Sequence, residues 1–262
     1  LSQVAEIDDE LGWSITDVSW FAEAQAPPNT LMVAGGDFDE ARLTDAMGER
    51  RDGIWRLGGE DGEIDVTGIT AARPLGESLR SALDDGHLIV GRSTPPVADA
   101  LAGGAPTLAD NAVLRSLAQA MDDQDAYSVL LTAGGLYSAD PAAIISADDP
   151  RATLADLQDQ VLPQPFRGVA GGLTSEDGVP VVVLAYVHDS ADAARSNAEA
   201  LRRLVGEGRS LLTDDPWRTV FTVDDIRADG STLVARLGLA EQGNPQLAYS
   251  LLLRRDSLVS HR

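Results

Sequence analysis

Three Asp-Gly pairs set between apolar stretches constrain the fold of this chain most strongly. They are Asp85-Gly86 in SALDDGHLIVG, Asp177-Gly178 in VAGGLTSEDGVPVVVLAYV and Asp229-Gly230 in FTVDDIRADGSTLVARLGL. Asp and Gly tolerate the positive φ of a tight turn, and such turns join neighbouring antiparallel strands. Parallel strands need long crossovers instead. The pattern therefore predicts antiparallel sheets and argues against a doubly wound one. A further turn former, EDGE (60–63), sits among the short strands expected from GIWRLGG onward.

Between these signals the apolar period lengthens to that of helices. Leu43, Ala46 and Met47 place a helix over about 39–50, and TPPVADALAG opens another with proline in its first turn. Leu114, Leu117, Ala118 and Met121 form the expected stripe of NAVLRSLAQAM (111–121). Ala194, Ala198, Leu201 and Val205 form that of residues 190–208. The run AYSVLLTAGG (126–135) reads as a buried strand, and NPQLAYSLLLRRDSLV as a closing helix.

The expectation is an α+β fold with mainly antiparallel sheets backed by helices. Residues 1–137 make an N-terminal half, whose first 29 residues form an arm with Trp13 and Trp20 packed on the body. Residues 138–165 form a Pro-rich connector with a short helix (Leu154, Leu157, Val161), and residues 166–262 a C-terminal half. The two halves can also form one continuous domain. TLMVAGG-helix parallels VVVLAYV-helix, and DDGHLIVG-helix parallels ADGSTLVARL-helix. The order suggests a weak internal duplication of a β-α-β-β-α unit.

Charge narrows the chemistry. The chain has 42 acidic residues against 20 basic ones and a net charge of −22. Every basic residue is arginine. Such a surface repels a phosphate backbone, so nucleic acid and anionic membranes are not expected partners. The strand-Gly-Gly-helix order of TLMVAGGDFDEARL resembles a phosphate loop. However, Asp37, Asp39 and Glu40 already face the positive helix end, with Asp37 and Glu40 spaced as a capping box. The chain has no lysine for a P-loop and no GxGxxG. Related AGG words at 102–104, 133–135 and 170–172 read as strand punctuation.

His188-Asp189-Ser190 holds the three residue types of a catalytic triad. Three neighbours in a row cannot converge as a triad must, so the expected roles are a strand-end histidine followed by a helix cap. His87 and His261 are isolated, and the absence of cysteine removes thiol chemistry and disulfides. Acidic groups recur at Asp8-Asp9-Glu10, Asp84-Asp85, Asp122-Asp123-x-Asp125, Asp148-Asp149, Asp214-Asp215 and Asp224-Asp225. None has the spacing of a calcium loop, and they read as solvated turns. The four tryptophans (13, 20, 55, 217) are expected in packing roles. No catalytic, cofactor-binding or metal-ligating residue is singled out, and no cofactor is expected.

An acidic chain rich in Ala, Asp and Arg, without cysteine and built from repeated hairpin and helix units, resembles secreted or lipid-anchored cell-envelope proteins of high-GC actinobacteria. The resemblance implies an extracytoplasmic, non-catalytic domain that binds a protein or small ligand of the envelope. It also implies a signal peptide, and in the anchored case a lipid-attachment cysteine, upstream of Leu1. The longest apolar run, PVVVLAYV (180–187), is too short to span a bilayer. The alternative reading is a carboxylate-dependent hydrolase with its site in a groove between the halves.

Overall fold

A computed structural model describes residues 2–26, 29–103, 107–134 and 159–262. The chain divides into two compact units, Leu1–Pro106 and Thr107–Arg262. Each is built on a five-stranded antiparallel sheet, so the fold is α+β.

The first unit runs α1 (Ser2–Leu11), β1 (Val18–Ala26), β2 (Asn29–Gly36), α2 (Glu40–Met47), β3 (Trp55–Leu57), β4 (Leu79–Asp84), β5 (His87–Gly91) and α3 (Thr94–Ala102), with strand order β1-β2-β5-β4-β3. The expected N-terminal arm thus takes the form of a helix and an edge strand. Alternation along the strands sorts side chains to opposite faces. Leu88, Val90, Trp55 and Met32 meet Leu11 of α1 and Leu43 and Met47 of α2 on one face. Ile89, Ala82, Leu31 and Val33 meet Val97 and Leu101 of α3 on the other.

The excursion between β3 and β4 is held by the buried Arg80. Its guanidinium donates to the carbonyls of Leu57, Gly59 and Leu79 and to Asp61 at 2.7 Å. Asp61 also accepts from the Thr94 backbone amide at 2.8 Å, at the start of α3. Burial alone would raise the Asp61 pKa, but the hydrogen bonds from Thr94 and Arg80 win and hold the carboxyl below its ordinary value.

The second unit runs α4 (Ala112–Asp122), β6 (Ser128–Ala133), β7 (Gly168–Glu176), β8 (Val179–Val187), α5 (Ala191–Glu207), β9 (Phe221–Asp229), β10 (Thr232–Leu239) and α6 (Leu247–Arg254), in strand order β6-β7-β8-β10-β9. Val182, Leu184 and Tyr186 pack with α5 and α6, while Val183, Ala185 and Val187 pack under α4. Because β6 pairs with β7, both α4 and β6 belong to this unit. Residues 138–158 of the expected connector, with Leu154 and Leu157, lie outside the described residues, and Val161 is buried.

The hairpins form where the Asp-Gly pairs place them. Asp85-Gly86 and Asp177-Gly178 both take positive φ, as a type I′ turn requires, and Gly230 does so between β9 and β10. A further pair, Asp52-Gly53, turns the chain between the bridged residues Arg51 and Ile54. Two expectations change. The run 126–135 supplies an edge strand, β6, with Ser128 and Val129 exposed, because nothing among the described residues pairs on its other side. The stripe of α4 is Val113, Leu117, Ala120 and Met121. Ala118 is exposed, since the face is set by the sheet beneath it.

Both units order their strands as hairpin, helix, hairpin, helix, with the second strands of the two hairpins adjacent. The likeness stops at the fifth strand, where β3 flanks the second hairpin and β6 the first, and at the last helix. The α3 helix packs on the face opposite α2, whereas α6 shares a face with α5. The shared order of four hairpin strands alone does not establish a duplication.

The AGG of 170–172 lies in the middle of β7 rather than at a turn. A Cβ on Gly171 would sit 2.6 Å from Leu252 Cδ1 and 2.8 Å from the Ala248 carbonyl of α6, and one on Gly172 would sit 2.9 Å from Met121 Cε of α4. Adjacent glycines therefore let helices approach the strand from both sides. Gly171→Ala is expected to destabilise the protein by about 1–3 kcal/mol through overpacking. Gly206→Ala, in α5 with open space at its Cβ, is expected to stabilise it by about 0.5–1 kcal/mol. Urea unfolding of the two variants reads both signs.

Candidate functional site

The turn from β2 into α2 is the stretch most like a nucleotide loop, and its glycines answer to packing. A Cβ on Gly36 would lie 2.0 Å from the Asp17 carbonyl, and one on Gly35 would lie 2.2 Å from the Trp20 indole nitrogen. Neither glycine takes positive φ. The helix N-terminus is capped by Asp39, which accepts from the Ala41 amide at 2.8 Å, and not by Asp37. Three acids in four residues offered several caps to sequence reasoning. The backbone decides among them, because the Asp37 amide is drawn to the Asp17 carbonyl at 2.9 Å.

His188, Asp189 and Ser190 diverge. Ser190 caps α5 by accepting from Ala193 at 3.1 Å, and Asp189 is exposed and 3.7 Å from Arg167. His188 is buried. Its neighbour Asn197 exchanges both amide groups with the Gln164 backbone, accepting at 2.9 Å and donating at 2.8 Å, which fixes the orientation of its side chain. The remaining Asn197 N–H then donates to His188 Nε2 at 2.8 Å. That leaves Nδ1 as the protonated nitrogen, facing the Ser231 carbonyl at 3.3 Å. Phe166 packs edge-on against His188 and, at 4.7 Å, against His261.

The arrangement needs a neutral imidazole. Burial pushes the His188 pKa below its ordinary value of 6.5 and nearby His261 adds to this, against the opposing pull of the Ser231 carbonyl and Asp189. The cluster ties α5 to the segment before β7.

Of the acidic groups, Asp8 pairs with Arg42 at 2.5 Å, Glu10 with Arg73 at 3.0 Å and Asp214 with Arg209 at 2.7 Å. Asp148 and Asp149 lie outside the described residues. Among the described residues no group of three His, Asp or Glu side chains is placed to hold a metal ion. An open groove of about 450 Å³ runs between α4 and the outer strands of the second sheet. Arg115, Gln119 and Asp123 line one wall and Arg227 and Asp229 the other, so both signs of charge face it.

The feature that sequence reasoning missed is β1. Among the described residues it pairs with β2 alone, and Trp20 and Phe21 are 49% and 62% exposed. Register places Trp20 opposite Gly35, with its ring 5.5 Å from that of His87. Phe21 faces the other side of the sheet. Trp55 and Trp217 are buried in the cores and Trp13 packs edge-on to Phe38; Trp20 also packs, with its indole over Gly35, but leaves half its surface exposed. The signal was present in VSWFAEAQA, nine residues with aromatics and one charge.

No protein-family model, curated protein or solved structure matches the chain.

Two outcomes are expected. Because the unfolded chain binds a proton at His188 more readily than the native one, stability is full above about pH 6.5 and declines as the pH falls below it towards the depressed native value. Calorimetry across that window, with His188→Gln flattening the slope, reads this. Gly35→Ala drives the Trp20 indole off its glycine floor and is expected to red-shift tryptophan emission.

Proposed function

We propose that this chain is a non-catalytic, extracytoplasmic domain of the cell envelope that binds another protein through the outer edge of β1, which no other described strand pairs with. The observation that carries the reading is a nine-residue edge strand, exposed along nearly its whole length and bearing Trp20 and Phe21. Soluble proteins blunt such edges because unpaired strand backbone recruits other chains. Aromatic residues are also enriched where proteins meet.

The location rests on the resemblance in composition to secreted and lipid-anchored envelope proteins, and an anchor upstream of Leu1 would hold the domain at the outer membrane face. No helix among the described residues is long and apolar enough to cross a membrane.

Replacing Phe21 with a photo-crosslinking phenylalanine analogue, in intact cells that naturally make the protein, is expected to trap one discrete protein adduct. Extracellular protease should digest that adduct. The same analogue at the exposed Leu253 of α6 should trap none. Absence of an adduct from position 21, or equal adducts from both positions, would sink the reading.

A further inference from the structure

Resting on that reading of β1, the geometry points to the chemistry of the partner: an extended segment of alternating apolar and basic residues, added as a sixth strand beside β1. A strand of nine residues offers about 30 Å of backbone for pairing. The sole irregularity lies between Val18 and Trp20, so the register from Trp20 to Ala26 is unbroken.

The two faces of the edge differ. On one, Trp20 is followed by Ala22 and Ala24, a bulky residue and then two small ones, which leaves a shelf for the apolar side chains of an added strand. On the other, Phe21 is followed by Glu23. That carboxylate is exposed and has no ion-pair partner among the described residues. Gln25 donates to it.

Charge selects the occupant. Residues 18–36 contain no basic residue, and Glu23 is their one charge. At the end of β2, the exposed Asp37 and Asp39 add to the negative field, within a chain of net charge −22. An arginine or lysine opposite Glu23 gains a favourable cross-strand pair, while a like charge there is destabilising. A second copy of the chain brings −22 against −22, with no cation on its own β1 to answer Glu23. The edge is therefore suited to a basic strand from another protein, held by main-chain hydrogen bonds.

The test uses the full chain and dye-labelled nine-residue peptides read by fluorescence anisotropy. One peptide alternates Val and Thr with Arg, a second carries Glu in place of Arg, and two more are the Arg peptide N-methylated on the amides of one edge or the other. The Arg peptide is expected to bind at least tenfold more tightly than the Glu peptide, and Glu23→Arg should reverse that order. Methylation of one edge should abolish binding and methylation of the other should leave it intact, a signature that needs no variant of the protein. Equal affinity for the Arg and Glu peptides, no binding of the Arg peptide, or indifference to both methylations overturns the proposal. So does a chain that light scattering finds dimeric and that Phe21→Asp makes monomeric, which would give the edge to a second copy. If the position-21 adduct forms while the peptides fail, protein binding stands and basic strand addition falls.

Discussion

Burial of β8 on both faces is the constraint from which the second unit follows. From Val181 to Val187 every residue of that strand is buried. Val182, Leu184 and Tyr186 can leave water only if α5 and α6 cover one side, and Val183, Ala185 and Val187 only if α4 covers the other. An antiparallel sheet commonly keeps one face wet, so double coverage makes a further demand on its neighbours. The β7 strand meets it with two consecutive glycines, each giving way to a different helix. The first unit repeats the solution around β5, where Leu88 and Val90 point to α1 and α2 and Ile89 points to α3.

What could be read from the residues was whatever local chemistry decides. Asp-Gly pairs specify positive φ wherever they stand, so the hairpins and the antiparallel class followed from them. The stripe of α5 was equally legible, since Ala194, Ala198, Leu201 and Val205 leave no other face to bury. What depends on pairing partners was not. The run at 126–135 reads as interior, yet β6 lies at an edge, and β1 reads as an arm, yet it closes the first sheet. An apolar strand looks much the same in sequence with one neighbour or two. In α4 the stripe turned on a choice between Val113 and Leu114 that the sheet, rather than the helix, makes.

The Gly-Gly words show the same division. Their resemblance to a phosphate loop is one of composition, whereas their roles are steric and differ from site to site. Gly35 supports an indole, Gly36 admits a carbonyl, and Gly171 and Gly172 admit two helices. The buried polar cluster at His188 was half legible. The sequence placed a histidine at a strand end, but only the fold brings Asn197 and the Gln164 backbone to it and so dictates its tautomer.

Where helical cover stops, at β1, the chain guards itself locally with little more than Glu23. Other proteins station lysines or prolines along such an edge, but this strand has neither. The rest of its protection against self-association is colloidal, supplied by charge spread over the whole molecule. That protection reaches only about 8 Å at physiological ionic strength and contracts as salt rises. Salinity therefore sets how closely two such edges can approach, and brine is the medium in which one copy is most exposed to its own kind.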